Sequence, residues 1–452
     1  MKSVNPADGR LLATFEAWDA EHTETMLASA ARASAIWRDT SLAERCEILR
    51  RVAAILLSRR DSLARLATME MGKLAAEAQA EIEKCALGCE YYAAHASTFL
   101  ADEAVATEAR RSYVACRPLG TVLAIMPWNF PFWQVFRFAA PALAAGNTVL
   151  LKHASNVPQC ALAVEEVLRE AGLPDGAFIT LMIPVSGVEA VIRDPRVHAV
   201  TLTGSEAAGR QVAAIAGAAL KKTVLELGGS DPFIVLPDAD LDLAIDRAMS
   251  SRFGNAGQSC IAAKRFIVVG KIGDEFVQRL RERVEALHPG DPSAPDTTLA
   301  PLARADLRDS LHHLVEQSIA QGALAVTGCR PLDGPGAYYA ASILDHVKPG
   351  MPVFDEETFG PVASVTRADS ADEAVELANH SRYGLGGSVW TRNVTVGERL
   401  ALRLRCGCAF VNGMVKSDPR LPFGGVGHSG YGRELSHHGI HEFVNFTSVW
   451  VR

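Results

Sequence analysis

Gly120-Thr121-Val122-Leu123-Ala124-Ile125-Met126-Pro127-Trp128-Asn129-Phe130-Pro131 is a continuous apolar run of strand length that stops at a proline-bracketed loop. A strand without polar alternation is covered on both faces, which is the condition of a parallel sheet sheathed by helices. The pattern recurs: Asn147 to Leu151 leads into Lys152-His153-Ala154-Ser155, Ala177 to Leu181 follows, His198 to Thr203 leads into Gly204-Ser205, and Lys222 to Glu226 leads into a glycine pair. Helical spacing fills the gaps, from Gln159 to Ala171 and from Gly204-Ser205 to about Leu220. Strands alternating with helices predict an α/β fold with a doubly wound parallel sheet. Ligands of such sheets bind beyond the carboxyl ends of the strands, so Asn129 and Glu226 become candidate contacts. Gly204-Ser205, opening a helix, could hold a phosphate through free N–H groups and the helix dipole. Each has a plainer alternative: a loop asparagine satisfying its own backbone, a solvated strand-end charge, or a structural turn.

Beyond a boundary placed near Gly228 a second alternating set begins: a strand from Pro232 to Leu236, a helix from Leu241 to Phe253, a strand from Arg265 to Val269 and a helix from Asp274 to Ala286. Inside it lies Phe253-Gly254-Asn255-Ala256-Gly257-Gln258-Ser259-Cys260, a pliable turn carrying a cysteine directly before a strand. Gly254 and Gly257 let backbone come close to a ligand, and Asn255 and Gln258 offer hydrogen bonds. The competing reading is a buried cysteine serving as a small hydrophobe. Toward the N-terminus, Asn5 to Phe15 reads as a hairpin. Asp19 to Leu100 reads as a helical sheath with Asp19 and Ser41 as N-caps and Gly72 as a stop. Glu103 to Arg117 reads as a projecting ribbon and Glu442 to Val451 as a terminal strand.

The 452 residues exceed one hydrophobic core and imply two or three domains. A formal net charge of −7 with no basic stripe speaks against nucleic-acid or anionic-membrane partners. No secretory pattern and no long apolar window are present in the sequence, so a cytoplasmic protein is expected. Nine cysteines at irregular spacings predict reduced thiols; Cys85/Cys89 and Cys406/Cys408 read as packing pairs, and no metal is expected, the cluster His437, His438 and His441 included.

Seven segments taken together resemble the aldehyde dehydrogenase superfamily, in family order along nearly the whole chain: Pro127 to Pro131, Leu151-Lys152, Thr203-Gly204-Ser205, Leu225 to Gly229, Gly257 to Cys260, Glu356 to Pro361 and Pro422 to Gly425. The resemblance implies two Rossmann-like domains and a small β oligomerisation domain. Residues 1-101 and 119-227 would bind cofactor, 228-428 would carry catalysis, and 102-118 with 429-452 would bridge subunits of a homodimer or homotetramer. It implies Cys260 as nucleophile, Glu226 as general base, and Asn129 with the Cys260 N–H as oxyanion donors. Toward NAD or NADP it implies Trp128, Lys152, Ser155, Gly204, Ser205, Gly228, Glu357 and Phe359. Ser155 replaces a glutamate found in many NAD-preferring relatives, which predicts acceptance of both cofactors. Arg137 resembles the arginine of succinate semialdehyde dehydrogenases, a carboxylate clamp unless it pairs with a carboxylate of the protein itself. Ser417 and Arg420 are candidate helpers, because Gly254 stands where some of those enzymes carry a second arginine. The chain most resembles the short bacterial succinate semialdehyde dehydrogenases; glutarate semialdehyde, broad aliphatic aldehydes and a binding protein without chemistry are the alternatives.

Overall fold

The computed structural model describes all 452 residues, and its apolar runs form the centres of two sheets. The first has six strands in the order Gly430–Tyr431, Lys222–Glu226, Val197–Thr203, Thr121–Met126, Thr148–His153 and Phe178–Thr180, parallel except for the first. The order reverses between Thr121–Met126 and Val197–Thr203, whose carboxyl ends are followed by the Asn129 loop and by Gly204-Ser205. That reversal opens a crevice at the strand ends, which is where doubly wound sheets take ligands.

The second sheet has seven strands in the order Leu324–Thr327, Ser342–Asp345, Val362–Ala368, Ala263–Val269, Asp231–Val235, Gly386–Trp390 and Cys408–Val411, with only the first strand antiparallel. Residues 227–230 alone connect the carboxyl end of Lys222–Glu226 to the amino end of Asp231–Val235. The carboxyl edge of the first sheet is thereby held against the amino edge of the second, where the turn carrying Cys260 runs into Ala263–Val269. The chain thus has the α/β fold expected, two doubly wound sheets with a small antiparallel one. That third sheet pairs Val444–Val451 with Arg111–Pro118 and Glu103–Ala104.

The helical sheath is four helices, Ala20–Asp39, Leu42–Ser58, Arg60–Met71 and Ala75–Phe99. The Asp19 and Ser41 side chains accept the N–H groups of His22 and Glu44, and Gly72 closes the third helix in a left-handed conformation (φ 84°). The last helix packs on Trp133–Ala144, all of whose residues are buried. No helix is long and apolar enough to cross a membrane.

Candidate active site

Cys260 sits on a turn whose backbone is left-handed at three consecutive residues, Asn255 (φ 54°), Ala256 (φ 51°) and Gly257 (φ 74°). An alanine in this region costs of order 1–2 kcal/mol, so the surroundings must impose the conformation. They do so with hydrogen bonds: Arg252 donates to the Gly257 carbonyl at 2.6 Å, and Lys264 Nζ donates to the Ser259 and Cys260 carbonyls at 2.9 Å each. Asn255 Nδ2 donates to the carbonyls of Asn129 and Gln258 at 3.0 and 3.1 Å, tying the cysteine turn to the Asn129 loop.

Asn129 and Cys260 consequently line one cavity of about 250 Å³. Asn129 Nδ2 donates to the Gln258 carbonyl at 3.0 Å and keeps a second N–H unspent. The Cys260 N–H donates to no acceptor within the protein. Two unspent donors beside a thiol are what an addition to a carbonyl requires.

Glu226 ends its strand 2% exposed, and neither carboxylate oxygen has a hydrogen-bond partner. Gly424 makes room for it, because a Cβ there would lie 2.6 Å from Glu226 Oε1. Burial and the neighbouring Glu434 carboxylate push Glu226 well above the ordinary carboxylate range, against the pull of Arg137 and Arg433. Burial likewise pushes the Cys260 thiol up to about 12; Arg137 and Lys264 pull it down, while Glu357 and Glu226 add to the rise. In the free protein the thiol therefore keeps its proton until a base takes it.

Trp128, Gly204, Ser205, Gly228, Glu357 and Phe359 share that cavity. The Trp128 and Phe359 rings meet edge to face with centroids 5.8 Å apart. Glu357 accepts the Gly229 N–H at 3.0 Å, and a Cβ on Gly228 would meet its carboxylate, so a side chain there would displace Glu357 from this position. Ser205 caps the helix Glu206–Ala218 by accepting the Ala208 N–H at 3.3 Å. Lys152 and Ser155 stand apart from this wall, at the carboxyl end of Thr148–His153: Lys152 is buried and donates to the His153 carbonyl at 2.7 Å, and Ser155 is exposed.

Two residues read from the sequence as substrate contacts are placed otherwise. Arg137 is 2% exposed, ion-paired with the equally buried Glu434, donates to Thr203 Oγ1 at 3.3 Å and stacks on Phe423. The carboxylate clamp gives way to the internal pair, because a guanidinium taken out of water is held by whatever anion the fold supplies. Arg420 is exposed and bidentate to Asp418 at 2.8 and 2.7 Å, away from both cavities that flank Cys260. Ser417 is buried and accepts from Lys84 Nζ at 2.7 Å and from Trp133 Nε1 at 3.1 Å. Glu434 and Lys84 went unread in the sequence, and Gly424 was read only as part of the Pro422 to Gly425 segment, not as a neighbour of Glu226. Glu434 follows Arg433 directly and so looks like half of a surface ion pair.

The match to known proteins decides the family. The model of the aldehyde dehydrogenase family matches residues 1–449. This chain belongs to the aldehyde dehydrogenase family. Within it, the chain is similar to a probable succinate-semialdehyde dehydrogenase [NADP(+)] of a Synechocystis species, 51% identical over 449 residues and 99% of both chains. It is equally similar to succinate-semialdehyde dehydrogenase [NADP(+)] 1 of Mycobacterium tuberculosis, 51% identical over 452 residues and 99% of both. Among solved aldehyde dehydrogenases, the succinic semialdehyde dehydrogenase of Streptococcus pyogenes with NADP+ superimposes with a TM-score of 0.97 at 39% identity, covering 100% of this chain and 99% of that one. An NAD-dependent aldehyde dehydrogenase from Sinorhizobium meliloti gives 0.97 at 34% identity, with coverage of 100% and 91%.

Proposed function

We propose that this aldehyde dehydrogenase oxidises succinate semialdehyde to succinate with NADP or NAD. The observation that carries the reading is one cavity wall shared by Cys260, Asn129, Gly228, Glu357 and Phe359, with Glu226 near enough to perturb the thiol. The names of its half-identical relatives supply the substrate.

The Cys260 sulfur adds to the aldehyde carbon once its proton has left, and the carbonyl oxygen takes up the electron pair of the C=O bond. Asn129 and the Cys260 N–H receive that oxyanion; losing one such donor raises a barrier by roughly 3–4 kcal/mol. A bound nicotinamide nucleotide supplies the acceptor for the hydride that the hemithioacetal carbon gives up. The thioester left on Cys260 is opened by water, with Glu226 taking the water's proton, and the acid and the free thiol result. Among the cavity residues, Trp128 and Phe359 offer ring faces and edges to a planar heterocycle, Glu357 offers acceptors to sugar hydroxyls, and Ser205 with Gly204 lies at a helix N-terminus suited to phosphate. Lys152 and Ser155, at the carboxyl end of Thr148–His153, would hold the adenosine ribose, as the family resemblance implies. A neutral Ser155 sets no charge against a 2′-phosphate.

The division into a cofactor-binding unit (1-101 and 119-227), a catalytic unit (228-428) and bridging segments (102-118 and 429-452), and assembly as a homodimer or homotetramer, belong to the same proposal. Steady-state rates with succinate semialdehyde, glutarate semialdehyde, butanal and pentanal, each with both cofactors, test it. Succinate semialdehyde is expected to lead in kcat/KM, with the two cofactors comparable. A preference for butanal overturns the substrate reading, and a roughly thousandfold preference for NAD overturns the reading of Ser155.

A further inference from the structure

A second cavity, of about 290 Å³, lies on the other side of the cysteine turn. Phe130, Trp133, Ser259 and Ile261, the last two flanking Cys260 in the chain, line it together with Lys84 of the helix Ala75–Phe99. Lys84 makes no ion pair with any carboxylate of the protein. The acids beside it on its helix are engaged elsewhere: Glu83 is paired with Arg60, and Glu81 is ion-paired with Lys73 and accepts the N–H groups of Phe132 and Trp133 at 2.8 and 2.9 Å. Glu77, two turns back, accepts the Asn255 N–H at 2.7 Å, and its burial pushes it toward the neutral acid. What Lys84 does touch is Ser417 Oγ at 2.7 Å, and its Nζ lies 4.5 Å from the centroid of the Trp133 ring.

The hydrogen-bond inventory of Ser417 is decisive. Its oxygen accepts from Lys84 and from Trp133 Nε1, which fills both lone pairs and leaves its own proton to donate. A largely buried ammonium without a counter-ion thus lines a cavity whose wall includes Ser259 and Ile261, the residues on either side of Cys260, and a hydroxyl with an unspent proton lies directly behind that ammonium. Burial of an uncompensated charge is costly, and an incoming anion removes that cost. Arg137 cannot serve, because Glu434 already holds it.

We infer that Lys84, with the Ser417 hydroxyl, receives the distal carboxylate of the substrate and so selects ω-carboxylated aldehydes over uncharged ones of equal length. This rests on the reading of Cys260 as the nucleophile and of the second cavity as the aldehyde's approach. Lys416, exposed at the same cavity, adds a second positive charge at its rim.

The test compares wild type, Lys84→Met, Lys84→Arg and Ser417→Ala with succinate semialdehyde and butanal at pH 7. A charge-assisted hydrogen bond is worth about 1.5–3 kcal/mol, so Lys84→Met is expected to lower the kcat/KM ratio of semialdehyde to butanal roughly 10- to 100-fold. Ser417→Ala should lower it less, and Lys84→Arg should restore part of it. Calorimetric binding of succinate to the same proteins gives a readout independent of turnover, with at least a tenfold weaker affinity expected for Lys84→Met. An unchanged ratio together with unchanged succinate affinity overturns the inference. Succinate binding that depends on Lys84 in a protein that oxidises no aldehyde would instead sink the catalytic reading and leave the receptor standing.

Discussion

Glu226 and Cys260 are displaced from their ordinary titration ranges in the same direction and largely by the same cause, loss of water. For the carboxylate the sign is definite. Below its raised pKa, Glu226 holds a proton and cannot take one from water; above it, the base is available, so deacylation should climb with pH through that raised value and then level off. Glu226→Gln removes the base and leaves the nucleophile. Expected is a burst of about one reduced cofactor per Cys260, steady turnover slower by about 10²- to 10⁴-fold, and loss of the climb with pH. Rapid-quench and steady-state measurements across pH check this, and a variant that keeps the wild-type profile removes Glu226 from the mechanism. At this scale the sequence was legible wherever a side chain stands in a motif whose loop geometry is local, as with Asn129 after its strand and Cys260 on its turn. It was not legible for Lys84, one charged residue among many on a long helix, because what distinguishes it is the absence of a partner in space.

Between elements, what joins residues far apart in the chain could not be read. Arg137 lies on the buried helix Trp133–Ala144, and its counter-ion Glu434 comes from the segment just before the helix Ser436–His441. From the sequence, Arg137 could be either a carboxylate clamp or half of an internal pair; its surroundings include a carboxylate delivered from 297 residues away, shielded by Phe423. Removing one member of such a pair leaves the other buried and uncompensated, so Arg137→Leu is expected to lower unfolding stability by roughly 3–5 kcal/mol. The double change Arg137→Leu with Glu434→Leu should recover most of it, since two apolar side chains carry no stranded charge. Urea midpoints and cofactor-free melting curves read both, and a single variant as stable as wild type would show that the pair contributes little. Most strands and helices were legible through residue 286, where runs of apolar residues and caps are sharp, the short helix Val188–Arg193 being missed. The stretch holding the helix Ala305–Ala320 and the strands Leu324–Thr327 and Ser342–Asp345 gave no such signal, because Leu324–Thr327 is an edge strand exposed or half-buried along its length.

For the whole molecule, the parallel strand pattern announced two sheets, but not how they face each other; the short connection at 227–230 fixes that by chain length alone. The antiparallel sheet of Val444–Val451, Arg111–Pro118 and Glu103–Ala104 stands outside both, and Val444–Val451 forms one of its edges. An edge of this length with unpaired backbone groups is normally blunted or covered. Here it instead presents Phe446 and Trp450, each 53% exposed, four residues apart and therefore on one face of the strand. Two large rings on one face of an open edge suit a second copy of the chain, with backbone pairing supplying affinity and the rings supplying register. The wild type is therefore expected to sediment as a dimer or tetramer. Phe446→Arg combined with Trp450→Arg should shift it toward monomer while leaving the circular dichroism of the fold intact, because neither ring belongs to a buried core. A wild type that sediments as a monomer, or a doubly charged variant that assembles as before, would move the subunit contact to another surface.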